Sequence, residues 1–284
     1  MTNEKIALIT DSTCDLPDEV LKEYDIRILP LKILYPDRSY DDRLDISPDE
    51  VYATLDEERP KTSMPSPGKV AEVLNELVRE GFTHAIAIHL SSGLSGTRDV
   101  VKMVSEQIQQ SLKVEVIDSR AVSMALGFLV REAGALIRRG LGFEEVVERV
   151  RSLRERMRVF FIVRTLEYLR RNGRIGYVQA AVGGILDVKP IISIGAEGKY
   201  YTYVKVRGWH KALARLVDIV REKAGGKKIV VAVMHGAALK DGQELCKGIL
   251  NSGLQVQEMV FGQIGPSMVV HAGPGLVGVA FYEV

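Results

Sequence analysis

The chain has 284 residues, 46% hydrophobic and 26% charged, enough for one large or two ordinary domains with a full apolar core. Its 38 Lys and Arg against 37 Asp and Glu give a net charge of +1, which excludes a disordered chain and leaves no overall field to draw in nucleic acid or an anionic membrane. No run nears the ~20 apolar residues of a membrane span. The first apolar run, residues 6–9, is too short for a signal peptide, and Cys14 and Cys246 form no ligand-spaced pair. A cytoplasmic protein is expected, with no transmembrane segment, disulfide framework or zinc site.

Residues 6–9 read as a short strand ending in the polar turn Thr10-Asp11-Ser12-Thr13. Residues 26–34 are a second β-like run, and Pro30 inside it argues for an edge or irregular strand. Val70, Val73, Leu74, Leu77 and Val78 recur at helical spacing, and Gly81 stops that helix. Residues 85–88 form an apolar strand, followed by a Gly/Ser turn and a helix over 95–110. Residues 114–118 repeat the strand and 121–139 the helix. This alternation predicts βαβ units and a parallel, Rossmann-like sheet with flanking helices.

The second half has a different pattern. An amphipathic helix is predicted over 143–156, a strand over 158–163, and a helical pair over 166–171 and 177–186. Strands at 191–194 and 200–206 flank Gly195-Ala196-Glu197-Gly198, a hairpin signal. Helices over 209–223 and 239–250 alternate with strands over 229–234, 256–261 and 276–282. The hairpin makes this second sheet mixed. The expected fold class is therefore α/β with two domains, an N-terminal α/β domain over 1–157 and a C-terminal mixed α/β domain over 158–284.

Four polar constellations stand out. Thr10-Asp11-Ser12-Thr13, with Asp15 nearby, follows the first strand, where open α/β sheets place their ligand crevice. The same residues also suit capping of a helix that begins near Pro17. In Lys61-Thr62-Ser63-Met64-Pro65-Ser66-Pro67, Ser66 and Pro67 read as N-cap and first helical residue, which leaves Thr62 and Ser63 to face a ligand. Leu90-Ser91-Ser92-Gly93-Leu94-Ser95-Gly96-Thr97 offers more hydroxyls than a cap requires, together with backbone N–H groups at a helix N-terminus, a ready anion site. It lacks the lysine of a phosphate-binding loop, so binding of a nucleoside triphosphate is not expected.

Gly93-Leu94-Ser95-Gly96 falls one spacer short of a hydrolase elbow, and no Asp completes a defensible triad with Ser95 and His271. A serine-dependent lipid esterase using Ser95 stands as the alternative function. In the fourth constellation His271 follows Val269-Val270 and precedes Gly273-Pro274-Gly275. It suits a core histidine or, beside a hydroxyl-lined anion site, a hydrogen-bond donor to a carboxylate. His84, His89, His210 and His235 show no metal-ligand spacing, so no metal is expected.

Five motifs occur in order: Ile9-Thr10-Asp11-Ser12-Thr13, Lys61-Thr62-Ser63-Met64-Pro65-Ser66, Ser91-Ser92-Gly93-Leu94-Ser95-Gly96-Thr97, Arg171-Asn172-Gly173-Arg174-Ile175 and His271-Ala272-Gly273-Pro274-Gly275. Together they resemble the DegV family of fatty-acid-binding proteins, the acyl-carrying subunits of bacterial fatty acid kinase, over essentially the whole chain. The resemblance implies a two-domain carrier that buries a long-chain fatty acid and presents it to a separate kinase subunit for acyl phosphate formation. It implies neither cofactor nor catalytic residue in this chain. Carried over, Thr62 and Ser95 hold the carboxylate, Ser92 is the competing serine, and His271 lies nearby. Arg207, in Lys205-Val206-Arg207, matches the family's Lys-Val-Arg motif and is implied to dock the kinase or steady the phosphoryl group. Arg170, Arg171 and Arg174 form a second basic group, suited equally to a helix C-terminus.

A palmitate-like tail of about 14 methylenes gains at most ~11 kcal/mol on burial, at ~0.8 kcal/mol each. Ordering the chain and losing translational freedom offset much of this. The head group then needs only satisfaction, which neutral hydroxyls and N–H donors supply. Small residues would leave room for the tail: Ala121, Ala125 and Gly127 on one helix, and Ala180, Ala181, Gly183 and Gly184 on another. Close helix packing explains the same residues equally well.

Overall fold

The computed structural model describes residues 4–178 and 187–284. The chain runs through β1 (Ile6–Asp11), α1 (Asp18–Glu23), β2 (Ile26–Leu29), β3 (Lys32–Leu34), β4 (Ser39–Asp41), α2 (Pro48–Thr54), β5 (Lys61–Ser63) and α3 (Pro67–Arg79). It continues with β6 (His84–His89), α4 (Thr97–Ser105), β7 (Lys113–Asp118), α5 (Met124–Arg138), α6 (Phe143–Arg156), β8 (Arg158–Ile162) and α7 (Glu167–Arg171). Then follow β9 (Val188–Ile194), β10 (Tyr200–Arg207), α8 (Trp209–Ala224), β11 (Ile229–Gly236), α9 (Leu239–Leu250), β12 (Val256–Gln263), α10 (Pro266–Ala272) and β13 (Leu276–Glu283).

Two compact units form, Met1–Ile46 with Thr62–Glu155, and Ser47–Lys61 with Arg156–Val284. This differs from the expected division into 1–157 and 158–284, because residues 47–61, with α2, belong to the second unit. Side-chain bonds hold them there. Tyr168 Oη donates to Asp56 (3.0 Å), Arg171 to the Leu55 carbonyl (3.3 Å) and Gln263 to Asp49 (3.2 Å).

The sheet of the first unit has the order β2-β1-β6-β7 and is parallel throughout. Alternation puts Ala7, Ile9, Ala85 and Ala87 on one face, where Val70, Leu74 and Leu77 of α3 and Val101 and Val104 of α4 cover them. The largely buried α5 packs against β1 and β6. A Cβ added at Gly127 would lie 2.5 Å from the Cys14 carbonyl oxygen, so this glycine serves close packing of α5 on the turn after β1. Ala121 precedes α5 rather than belonging to it. Ala180, Ala181, Gly183 and Gly184, and most of the helix expected over 177–186, lie outside the described residues.

Pro30 splits the run at 26–34. β2 ends at Leu29 as an edge strand, and β3 pairs antiparallel with β4 in a small sheet of order β4-β3-β5. From β1 the chain moves to β2 on one side and later to β6 on the other. The carboxyl ends of β1 and β6 therefore form the switch point at which open α/β sheets bind ligands.

The sheet of the second unit is mixed, in the order β10-β9-β8-β13-β11-β12, with β11 and β12 its parallel pair. One face is covered by α8 and α9, whose Leu213, Leu216 and Leu245 pack on Val231, Val233 and Val279. At the β9–β10 hairpin, Gly195 N–H donates to the Lys199 carbonyl (2.9 Å) and Gly198 takes φ +74°, the conformation its glycines predict. Among the described residues no helix is long and apolar enough to cross a membrane.

Candidate functional site

β1 and β6 run in register, with Ile9 opposite Ala87. Two residues further on, at the switch point, Asp11 and His89 meet, both fully buried. Asp11 Oδ2 lies 3.0 Å from His89 Nδ1 and accepts the Leu90 N–H at 2.8 Å. Its Oδ1 accepts the N–H (3.1 Å) and the hydroxyl (2.6 Å) of Thr13. A carboxylate in a dry interior is tolerable only when its lone pairs are filled, and these four contacts fill them. Asp11 thereby caps the 3-10 turn Ser12–Cys14. The expected cap on the helix near Pro17 is absent, since α1 has Pro17 at its N-cap with no side-chain bond. Ser12 is also consumed locally, donating to Asp42 (2.5 Å) and accepting from the Leu31 N–H (3.0 Å).

From Leu90 the chain enters the serine turn. Ser91 N–H donates to the Ala121 carbonyl (2.9 Å), and the N–H groups of Leu94 and Ser95 donate to the Ser91 carbonyl (2.9 and 3.1 Å). Asp118, at the end of β7, pins the turn from the other side. Ser92 Oγ donates to its Oδ2 at 2.5 Å, and the N–H groups of Ser92 and Arg120 donate to its Oδ1 at 3.2 and 2.9 Å. The single hydroxyl proton of Ser92 is thus committed to a carboxylate. Ser95 differs: its Oγ meets Thr97 Oγ1 at 2.9 Å, where either can donate, and accepts the Thr97 N–H at 3.3 Å. Of the two candidate serines, Ser95 is the one whose proton can turn to an incoming anion. Its hydrogen-bond partners among the described residues include no imidazole.

The second motif lies alongside. A Cβ added at Gly96 would come within 3.0 Å of Met64 Sδ, so the segment that follows Thr62 and Ser63 packs directly on the serine turn. Thr62 and Ser63 are half-buried, and Ser63 Oγ contacts the Met64 carbonyl at 3.4 Å. Ser66 accepts the Lys69 N–H at 3.2 Å as the N-cap of α3, with Pro67 at its first position, as its sequence predicts. Just before α5, Ser123 takes φ +57° and donates its hydroxyl to Asp15 (2.5 Å), itself at φ +51°. Two non-glycine residues in the left-handed region, bonded to each other, mark stored strain of ~1–3 kcal/mol each.

The other two motifs meet in the second unit. Asn172 Nδ2 donates to the carbonyls of Val270 (2.8 Å) and Tyr168 (3.2 Å), which joins Arg171-Asn172-Gly173 to the segment carrying His271. His271 sits in the last turn of α10. Burial, and then the positive charge of Arg174, push its pKa down from 6.5 to about 3. A neutral imidazole offers one N–H and one lone pair and carries no positive charge. Arg207 ends the edge strand β10 and is exposed. Thr62, Ser63, Ser92 and Ser95 thus belong to the first unit, and His271 and Arg207 to the second.

Sequence reasoning missed His89 and Asp118. The signal for His89 is register, because Asp11 and His89 each fall two residues past a paired position. That for Asp118 is its place at a strand's carboxyl end, beside the crevice. Among the described residues no three His, Cys, Asp or Glu side chains group as metal ligands.

The model of the DegV family, described as "Uncharacterised protein, DegV family", matches residues 5–284. A DegV domain-containing protein of Clostridium acetobutylicum is 43% identical over 280 residues, which cover 99% of each chain. A solved DegV family protein of Thermus thermophilus, described by its fatty acid binding, has a TM-score of 0.92 at 32% identity, over 99% of this chain and 100% of that one. A stearic acid-binding protein from Eubacterium ventriosum has a TM-score of 0.88 at 26% identity, over 98% of each chain. With the match running from residue 5 to the last, and a relative this similar along its whole length, the chain belongs to the DegV family.

Proposed function

We propose that the protein binds one long-chain fatty acid, its carboxylate held by the hydroxyls of Thr62 and Ser95, and presents it to a separate kinase for acyl phosphate formation. The observation that carries this reading is the division between the turn serines: Ser92 is tied to Asp118, while Ser95 bonds another hydroxyl and adjoins the segment after Thr62. The fatty acid binding described for the Thermus and Eubacterium proteins supports the ligand class. Ser63 is a further head-group candidate in the same unit, and the family resemblance adds His271 as a candidate. Arg207 supplies a cation for the kinase or for the phosphoryl group, because an acyl phosphate carries charge that neutral hydroxyls do not balance. The protein is a carrier with no catalytic machinery of its own.

Native mass spectrometry with added oleate is expected to show one bound fatty acid, and unliganded protein alone would refute the reading. In calorimetry, Thr62→Ala with Ser95→Ala weakens oleate binding by about 1–3 kcal/mol per lost bond to a charged acceptor. Ser92→Ala mainly lowers the urea midpoint. Unchanged affinity in the double variant would show the wrong residues were chosen. Transfer of phosphate from ATP to bound oleate requires the added kinase and falls with Arg207→Ala, whereas transfer by this protein alone overturns the carrier reading.

A further inference from the structure

β7 is the outer strand of the parallel sheet, and beside it the first unit contains a cavity of about 430 Å³. That is within the range of small-molecule sites, ~300–1,000 Å³. Five cationic side chains line it: Arg98 and Lys102 from α4, Arg120 after β7, and Arg151 and Arg154 from α6. The spacing produces this arrangement, since residues three or four apart share a helix face.

Three acids share the lining, Glu106, Glu115 and Asp118, and two of the arginines are oriented by such neighbours. Arg151 is held on Glu115 (2.5 Å), and Arg154 donates to the Asp118 carbonyl (3.1 Å). The Asp118 carboxylate itself is occupied by the donors of Ser92 and Arg120. The remaining deficit is one of acceptors. Arg98 Nη1 is paired with Asp99 at 2.7 Å, but its Nε is buried with no hydrogen-bond partner among the described residues. The Lys102 ammonium forms no ion pair among them either. A ligand that fits must bring acceptor oxygens and negative charge. No aromatic ring is in the lining, so a nucleobase would have nothing to stack on.

We propose that this groove binds the phosphate group of a small molecule. Lys102 takes phosphate oxygens as a point charge, and the guanidinium of Arg98 offers the directed N–H fork that phosphate geometry suits. The exposed ion pairs around the groove are weak and open readily to a dianion. Asp118 borders both sites, but Arg98 and Lys102 take no part in the proposed fatty acid site, so the failure of either reading leaves the other standing.

The test is calorimetry on the full chain with pyrophosphate, glucose 6-phosphate and glucose, repeated on Arg98→Gln with Lys102→Gln. At least one phosphate is expected to bind and glucose to be silent. Binding of pyrophosphate alone identifies free phosphate as the ligand, and binding of both identifies the phosphate of a larger compound. The double variant should weaken phosphate binding about tenfold or more, the order expected when a charge-assisted partner is lost, with oleate binding intact. Lys102→Gln alone, at an exposed position, keeps the test decisive if the double variant folds poorly. Silence of both phosphates, equal binding of glucose, or undiminished binding by the variants would overturn the proposal.

Discussion

Asp11→Asn keeps the shape of the side chain and turns one oxygen into a donor. Each oxygen of Asp11 serves two partners, Oδ1 the N–H and hydroxyl of Thr13, and Oδ2 the Leu90 N–H and His89 Nδ1. The Thr13 hydroxyl can rotate and the imidazole can change tautomer, so both can adapt to an amide. A backbone N–H cannot reverse, and whichever way the amide turns its NH2 faces one. The site is fully buried, so the stranded donor costs ~1–3 kcal/mol, and the surviving bonds weaken because they lose a charged acceptor. A total of ~3 kcal/mol is expected, a large part of the ~5–15 kcal/mol that holds a typical domain together. Urea unfolding should show a lower midpoint at unchanged slope. Amide exchange at Leu90 and Thr13 should show the local opening, and since Leu90 starts the serine turn, oleate affinity should fall too. A loss under ~1 kcal/mol, with those amides still protected, would refute the claim that Asp11 anchors the turn.

His271 predicts a pH dependence. Its folded pKa of about 3 lies below its ordinary 6.5, so the unfolded chain binds the extra proton; the stability due to the neutral ring is full above about 6.5 and is lost as pH falls toward about 3. The loss runs at up to ~1.4 kcal/mol per pH unit. Urea midpoints at neutral and mildly acid pH should therefore converge for His271→Gln relative to wild type, and identical pH profiles would contradict the assignment. Ser123→Ala removes the bond to Asp15 and keeps the strain, whereas Ser123→Gly removes the bond and releases the φ of +57°. The glycine variant should therefore be the more stable by ~1 kcal/mol on thermal or chemical unfolding, and a more stable alanine variant would remove the strain argument.

Elements whose apolar face decides everything were legible in the sequence. α9 falls at Leu239–Leu250, where periodicity alone placed a helix. Competing local chemistry blurs other boundaries: the helix expected over 95–110 starts at Thr97 and gives way after Ser105 to a 3-10 turn, Glu106–Ile108. α2 carries a local signal that the periodicity reading passed over, a capping box in which Glu50 N–H donates to Ser47 Oγ (3.3 Å) and Ser47 N–H to Glu50 (2.8 Å). The unit to which α2 belongs was not legible, because it depends on partners as remote in sequence as Gln263 is from Asp49. The candidate site divides the same way. Hydroxyls crowded into a turn are visible in sequence, but which serine is already committed depends on Asp118, which only the pairing of β6 with β7 brings alongside.

The serine turn leaves β6 and is fastened on both sides by carboxylates, Asp11 from β1 and Asp118 from β7. Those two acids take up the backbone N–H groups of Leu90 and Ser92 and the Ser92 hydroxyl. The Ser95 hydroxyl is outside both sets of bonds, meeting Thr97 Oγ1 instead, and in the proposed function it is joined by Thr62 on the neighbouring segment. On the proposed reading this suits a carrier. A bidentate arginine would occupy both oxygens of a fatty acid carboxylate and deepen the well from which it must leave. Neutral hydroxyls satisfy the head group at about 1 kcal/mol each and leave lone pairs free to attack a phosphoryl donor, while the tail supplies the affinity. Because the acids fix the turn before any ligand arrives, little ordering entropy is charged to binding, and weak donors suffice.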